Sequence, residues 1–341
     1  MLNIISRSFV EGEINGPQKV VTNLIKGLNI LGYPYCINKD LQATSQLWIH
    51  DDPFALEEAC RLKIHAVAGP NIYILPKNIP RSIDMSRLVY IQPSKWIRDF
   101  WMDTGFARCP LDVWPTAIDS KEFSEREKSE NGHVLIYYKQ RSAEELDFVK
   151  SIFEKKRIRY EVITYGSYRQ EEYVEKLKGA RYVLWLGRHE TQGIALEEAL
   201  SMNVPMVVWD VNSIGQWLPR KKDESLYTPE ELAYTNTTSA EYFDERCGIK
   251  TKIKDEIESS IEKMETDWNT FSPRQYILEN LGLEKQAREL LYLFTTYFNI
   301  KYSDGQTETL KNNKKWKNDC IRFKLFSFGK AIAKRATGKK G

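Results

Sequence analysis

The sequence predicts an α/β protein made of two doubly wound parallel-sheet domains, and three observations carry that expectation. Short apolar runs such as Tyr182-Val-Leu-Trp-Leu186 and Met206-Val-Val-Trp209 are bounded by Gly or Pro, as strands buried on both faces are. Stretches with apolar residues at helical spacing lie between such runs. The alternation then starts again near residue 133, after a charged and hydrophilic stretch from Ser120 to Gly132 that reads as a linker. Alternating strands and helices of this length imply parallel sheets covered by helices on both faces.

The first half opens with a strand, Leu2-Asn-Ile-Ile5. After Asn15-Gly16-Pro17, residues Val20, Val21, Leu24, Ile25, Leu28 and Leu31 mark one face of a helix from about Lys19 to Leu31, closed by Gly32. Ser45 to His50 reads as a strand and Pro53 to Leu62 as a helix. Ile64 to Ala68 reads as a strand ending in Gly69-Pro70-Asn71. A strand from Arg87 to Ile91, a helix opened by Ser94 and the segment Val113 to Asp119 complete this half. The second half begins with the strand His133 to Tyr138 and continues through Tyr160 to Thr164. The two apolar runs at 182–186 and 206–209 follow, with a helix from Ile194 to Met202 between them, and then helical sequence from Ser272 to about Phe298. The expected organisation is a first domain over 1–122, a second over 123–271, a helical segment over 272–300 and a basic tail over 301–341.

Composition narrows the classes. At 341 residues, 42% hydrophobic and 28% charged, the chain suits two globular domains. No window approaches about 18 uninterrupted apolar residues, and Met1-Leu-Asn-Ile-Ile-Ser-Arg7 turns polar too early for a signal peptide, so a cytoplasmic protein is expected. Five cysteines without a Cys-x-x-Cys pair suit neither a disulfide framework nor a structural zinc site and read as reduced. The Asn236-Thr-Thr238 sequon is a chance match in such a chain. From Lys311 to Gly341 eleven Lys and Arg stand against Asp319 alone, a charge of +10 that leaves −7 for the rest of a chain of net +3. Aromatic residues interleave with these charges, which suits an anionic membrane surface, and a solvated tail or an RNA contact stand as alternatives. No nucleic acid partner is expected for the body.

The chemistry concentrates in Glu190-Thr-Gln-Gly193-Ile-Ala-Leu-Glu-Glu198, between the two apolar runs. In a strand, loop and helix unit, Gly193 lets backbone approach a ligand, and first-turn N–H groups beginning at Ile194 face an anion such as a pyrophosphate. Glu198, about one turn into the helix, is placed for ribose hydroxyls, and Glu190 on the loop for sugar hydroxyls. Taken alone, the two glutamates read equally as ordinary surface carboxylates.

Their register with Ala199 and Pro205 resembles the group 1 (family 4-like) retaining glycosyltransferases of the GT-B fold, in which Glu-Gly-Phe-Gly, four residues, Glu-Ala and then Gly-x-Pro recur. Gln192 stands where that pattern has an aromatic residue, and Asn203 where it has Gly. Asn15-Gly16-Pro17 resembles the family's Gly-Gly-Pro turn, Trp114 to Asp119 its domain-closing segment, and the helix ending near Phe298 its crossing back onto the first domain. The resemblance covers roughly residues 1–298. It implies two Rossmann-like domains facing a cleft and a catalytic role for Glu190. It also implies a nucleotide-sugar donor held by Lys139, Arg141, Gly166, Gln192, Gly193, Ile194 and Glu198, and an acceptor side at Gly16, His50, Asp52 and Asn71. The acceptor class implied is a glycan or lipid-linked saccharide, as in bacterial surface polysaccharide synthesis, with a hexosyl group transferred and no cofactor or metal required.

Several residues keep a second reading. Lys139 and Arg141 are ordinary loop cations if they do not meet phosphate, and Glu144 stands where the family places its second charge. Gly166 follows Tyr165 in what is equally a simple turn, and Asp52 before Pro53 is equally a helix cap. Ala68 occupies the place of the family's usual catalytic-site His, and His65 reads as a core histidine. An epimerase of the same fold and a binding or scaffold protein without activity are the rival functions.

Overall fold

The computed structural model describes residues 1–9, 16–127, 130–217 and 226–300. Asn15 and the basic tail lie outside them. The chain divides into two compact units, one formed by Met1–Pro115 with the chain from Leu283, the other by Thr116–Gly282.

The first unit runs β1 (Leu2–Ile5), α1 (Gly16–Ile30), β2 (Tyr35–Ile37), β3 (Gln46–Ile49), α2 (Pro53–Arg61), β4 (Ala66–Ala68), β5 (Leu88–Gln92), α3 (Lys95–Asp103) and β6 (Leu111–Val113). Its strands pair in the order β2-β1-β3-β4-β5-β6, parallel throughout. The apolar strands β1, β3, β4 and β5 are buried along their whole length, as strands covered on both faces must be. Helix α1 buries Val20, Val21, Leu24 and Leu28, the face its periodicity marks, and starts at Gly16 because Pro17 is well suited to a first turn. Strand β2 has no counterpart in the sequence reading. Its three residues are half-buried, too few to show alternation, and pairing with β1 is what makes them a strand.

The second unit runs β7 (His133–Lys139), α4 (Ala143–Lys155), β8 (Tyr160–Thr164), α5 (Gln170–Gly179), β9 (Ala180–Gly187), α6 (Ile194–Ser201), β10 (Met206–Trp209), α7 (Pro229–Leu232), β11 (Gly248–Thr251), α8 (Ile257–Asp267) and α9 (Pro273–Asn280). The sheet order is β11-β10-β9-β7-β8, again all parallel. Period-two alternation sends Leu135, Tyr137, Val183, Trp185, Met206 and Val208 to one face, where α5, α6 and α9 cover them. Val134, Ile136, Tyr182, Leu184, Leu186 and Val207 go to the other, under α4 and α8. The charged stretch after Ser120 packs on this unit: Phe123 is in its core, and the Phe123 carbonyl accepts from Ser201 Oγ at 2.9 Å and Arg274 Nη1 at 3.0 Å.

Helix α10 (Leu283–Phe298) returns to the first unit and packs along α1. Gly27 permits the approach, since a Cβ there would lie 2.3 Å from the Leu283 carbonyl oxygen and 2.9 Å from the Ala287 Cβ. Trp114 Nε1 donates to the Gln286 carbonyl at 2.8 Å and Tyr297 Oη to Asp112 at 2.9 Å, tying the helix down at both ends. Among the described residues, no helix is long and apolar enough to cross a membrane, and the four cysteines are free.

Candidate functional site

In the second unit the predicted donor-side residues lie at or just past the carboxyl ends of β7, β8 and β9, which is where open parallel sheets bind ligands. Lys139, the last residue of β7, and Glu190, three residues past β9, meet as an ion pair of 2.5 Å with both side chains about nine-tenths buried. The Lys139 ammonium also lies 4.0 Å from the ring centroid of Tyr165, the first residue past β8. Gly166 follows with φ +82, and a side chain there would meet nothing within 4 Å, so the turn is open around it.

Gly193 caps α6 in the left-handed region, φ +106, a conformation that suits glycine and turns the loop sharply into the helix. The first-turn N–H groups of α6, from Ile194 on, face back toward that turn. Glu198 is buried on α6 and lies near enough to Tyr168 and Tyr173 that its charge adds to burial in raising both phenols. Those phenols belong to an aromatic floor. Tyr137 stacks on Trp185 at 4.0 Å, Tyr137 and Tyr168 share a hydrogen bond of 2.9 Å, and Tyr173 donates to the Ala195 carbonyl at 2.8 Å.

Two predicted donor residues are turned inward. Arg141 has no exposed surface: its fork grips Glu145 at 2.9 and 2.5 Å, and Nη1 donates to the carbonyls of Gly187 at 3.1 Å and Trp209 at 3.0 Å. It ties the ends of β9 and β10 to the start of α4, so sequence proximity to Lys139 does not translate into a shared surface. Gln192 is likewise buried, its amide accepting from Thr116 N at 2.8 Å and donating to the Thr116 carbonyl at 2.9 Å and to Glu197 at 2.8 Å. Glu144 is exposed in the first turn of α4.

Three groups that the sequence reading left without a role shape this loop. Glu197 is fully buried, and burial pushes its carboxyl up to about 8, opposed by the Gln192 bond and reinforced by the charges of Glu198 and Glu190. His189, beside Glu190, is held down to about 3 by burial and by Arg188 and Lys139, so it stays a neutral imidazole, edge-on to Trp217 at 5.3 Å. Asp210, the first residue past β10, accepts from Ser239 N at 2.6 Å, Ser239 Oγ at 2.9 Å, Val211 N at 2.8 Å and Thr238 Oγ1 at 2.7 Å. Its place at a strand's carboxyl end was the available signal.

In the first unit, His50, the first residue past β3, is completely buried, and its Nε2 lies 3.1 Å from the Pro17 carbonyl and 3.2 Å from Asn71 Nδ2. The predicted residues His50 and Asn71 are thus together, with Gly16 next to Pro17 at the start of α1. Burial holds the His50 imidazole down at about 4, against the pull of Asp51. Asp52 is the N-cap of α2, its Oδ1 accepting from Phe54 N at 2.9 Å and Ala55 N at 3.0 Å, so the capping alternative describes it. Its neighbour Asp51 instead accepts from Arg7 N at 2.7 Å and Ser8 N at 3.3 Å, and pins that loop. His65 is not a core residue: it is half-buried before β4, with Arg87 Nη1 donating to it at 2.7 Å and Phe298 at 4.9 Å. Ala68 is buried at the end of β4 and offers no polar group. Among the described residues, no three His, Cys, Asp or Glu side chains are grouped to hold a metal ion.

No protein-family model and no curated protein matches the sequence. Solved structures match it in fold. A sucrose-phosphate synthase from Thermosynechococcus elongatus, 9% identical, matches 88% of this chain and 99% of its own with a TM-score of 0.53. The catalytic domain of starch synthase IV from Arabidopsis thaliana, 7% identical, matches 87% of this chain and 99% of its own at 0.54. The lipopolysaccharide outer core galactosyltransferase WaaB, 12% identical, matches 86% and 99% at 0.51. Identities this low speak for the fold, and the fold is GT-B: two α/β domains, each on an all-parallel sheet, with helix α10 returned to the first.

Proposed function

We propose that this protein is a glycosyltransferase that moves a hexosyl group, with retention, from a nucleotide-sugar to a glycan or lipid-linked saccharide, and that it serves surface polysaccharide synthesis. The observation that carries the reading is the convergence of Lys139, Glu190, Glu198 and the glycine-capped start of α6 at the carboxyl ends of β7 and β9. That set matches the parts of a nucleotide-sugar in number and charge. Lys139 supplies a point charge for the diphosphate, and the first turn of α6 from Ile194, opened by Gly193, supplies N–H donors to it. Glu198 takes the ribose hydroxyls, and Glu190 the transferred sugar. Tyr165 and Gly166 form the base side. The fold neighbours include a sucrose-phosphate synthase, a starch synthase bound to ADP and acarbose, and a galactosyltransferase, which agrees with a sugar-nucleotide substrate.

Catalysis in this reading is positioning and charge stabilisation. The bond between the anomeric carbon and the phosphate oxygen breaks as an acceptor hydroxyl oxygen bonds that carbon on the same face; the hydroxyl's proton passes to the departing nucleoside diphosphate, whose charge Lys139 and the α6 N–H groups stabilise. No metal is part of the scheme. Arg141 and Gln192 act as supports, Arg141 binding the strand ends and Gln192 holding the loop to Thr116 and Glu197. His50 and Asn71, beside Gly16, are the acceptor-side groups, and Asp52 caps a helix.

The test is binding of UDP-, GDP-, ADP- and CMP-sugars, followed by acceptor-dependent release of nucleoside diphosphate. One nucleotide class is expected to raise thermal stability, by about 2.7 kcal/mol at a hundredfold excess over Kd. Lys139→Ala should weaken that binding at least tenfold. A folded protein that binds none of the four classes would overturn the reading, and donor binding with release that no acceptor stimulates would remove the transferase assignment.

A further inference from the structure

We propose that Asp210 is a positioning residue for the donor site, acting on Glu190 through Thr238 and Ser239; the proposal rests on the nucleotide-sugar reading above. Asp210 is buried and lies one residue beyond β10. Its two oxygens accept four hydrogen bonds, three of them from the segment Thr238–Ser239: the Ser239 amide and hydroxyl on Oδ1 and the Thr238 hydroxyl on Oδ2. The fourth comes from Val211 N on Oδ1.

The clamped segment in turn holds the Glu190 loop. The Thr238 carbonyl accepts from Glu190 N at 3.0 Å, and the Ser239 carbonyl oxygen lies 3.7 Å from where a Cβ on Gly193 would stand. The contacts of Glu190 include restraints of two different kinds. Its side chain is held by Lys139 at 2.5 Å and its backbone by the Thr238 carbonyl. When a diphosphate draws on the Lys139 charge, that ion pair weakens, and the backbone restraint set by Asp210 continues to hold the Glu190 loop. The same segment is secured from the far side, where Lys250 Nζ donates to the Ala240 carbonyl at 2.9 Å and Lys252 Nζ to the Thr237 carbonyl at 3.0 Å. Asp210 touches no proposed substrate atom and works through these contacts alone.

The reading separates the ligand's parts. The sugar is assigned to Glu190 and the diphosphate to Lys139 and α6, so loss of the Asp210 clamp should affect recognition of the sugar and spare the nucleoside diphosphate. Asp210→Ala removes the whole clamp, and Thr238→Val removes the Oδ2 arm while keeping the side chain's shape. Affinities of each for the nucleotide-sugar and for the matching nucleoside diphosphate are measured by calorimetry, alone and in a Glu190→Ala background, with folding checked by circular dichroism. Roughly tenfold to hundredfold weaker sugar-nucleotide binding is expected, the scale seen when an orienting partner is removed. Diphosphate binding should stay within twofold, and the loss should vanish in the Glu190→Ala background. Equal weakening of both ligands, additivity with Glu190→Ala, or no change in Thr238→Val and Asp210→Ala would each overturn the proposal. Should the wild type bind the diphosphate without gaining from the sugar, the assignment of Glu190 fails first; should it bind neither, the donor reading and the proposal fall together.

Discussion

Arg141→Lys distinguishes a supporting arginine from a phosphate-binding one. Lysine keeps the charge but not the planar fork, so it cannot hold Glu145 at two points and still reach the carbonyls of Gly187 and Trp209. Removing one partner of a buried, hydrogen-bonded pair costs about 3–5 kcal/mol. Two facts lower that figure here. Glu145 keeps Ser142 N at 3.0 Å and Gln216 Nε2 at 2.9 Å, and its side chain is 18% exposed. The retained ammonium also replaces one or two of the lost bonds, leaving about 2–3 kcal/mol. For a domain of this size each kcal/mol moves Tm by roughly 2–4 °C, so the melting point of the second unit should fall by about 4–12 °C. The assay pairs thermal and urea unfolding with nucleoside diphosphate affinity measured well below the melting range. Affinity should change less than twofold. An unchanged melting point with a tenfold or greater loss of affinity would refute the reasoning and return Arg141 to the diphosphate.

Glu197 should make stability fall with rising pH. Its carboxyl is raised in the folded protein from the ordinary 4.5 to about 8, by burial first, so the fold holds the proton that the unfolded chain releases. The contribution is fully present below about pH 4.5 and is lost progressively from there to about 8; Glu197→Gln, shaped like the protonated acid, should match the wild type near pH 4.5 and exceed it at pH 8 by roughly 2–5 kcal/mol, at about 1.36 kcal/mol per unit. Parallel urea midpoints for the two proteins across that range would contradict the assignment. Gly27→Ala should destabilise the first unit by about 1–3 kcal/mol despite alanine's better helix propensity, because the added methyl meets backbone of α10 at 2.3 Å; a gain in urea midpoint would show that α10 can move away. The tail from Lys311, with its charge of +10, should carry the protein onto vesicles containing anionic lipid, at about 1 kcal/mol per basic residue near the surface; flotation equal for the full chain and for a chain ending at Ile300, or unaffected by salt, would exclude that role.

The sequence by itself determined the alternation. Each strand of the second unit that it marked reappears, and α6 begins at Ile194 as the Gly193 turn requires, because burial on both faces of a parallel sheet leaves an apolar run that needs no partner to be read. It also marked Lys139, Glu190, Gly193 and Glu198 as one group, and placed His50 with Asn71. Pairing decided what it missed: β2 and β6 are three residues each and β11 four, and they become strands through β1, β5 and β10. Only the tertiary structure decided which polar residues face outward. Arg141 lies two positions from Lys139, yet its guanidinium is spent on Glu145 and on strand-end carbonyls, and Gln192 between Glu190 and Gly193 turns to Thr116. Asp210 and Glu190 meet through Thr238, a residue far along the chain. Direction and partnership of a side chain depend on which strand ends the sheet order brings side by side, and that order, β11-β10-β9-β7-β8, is a property of the packed sheet that no local pattern records.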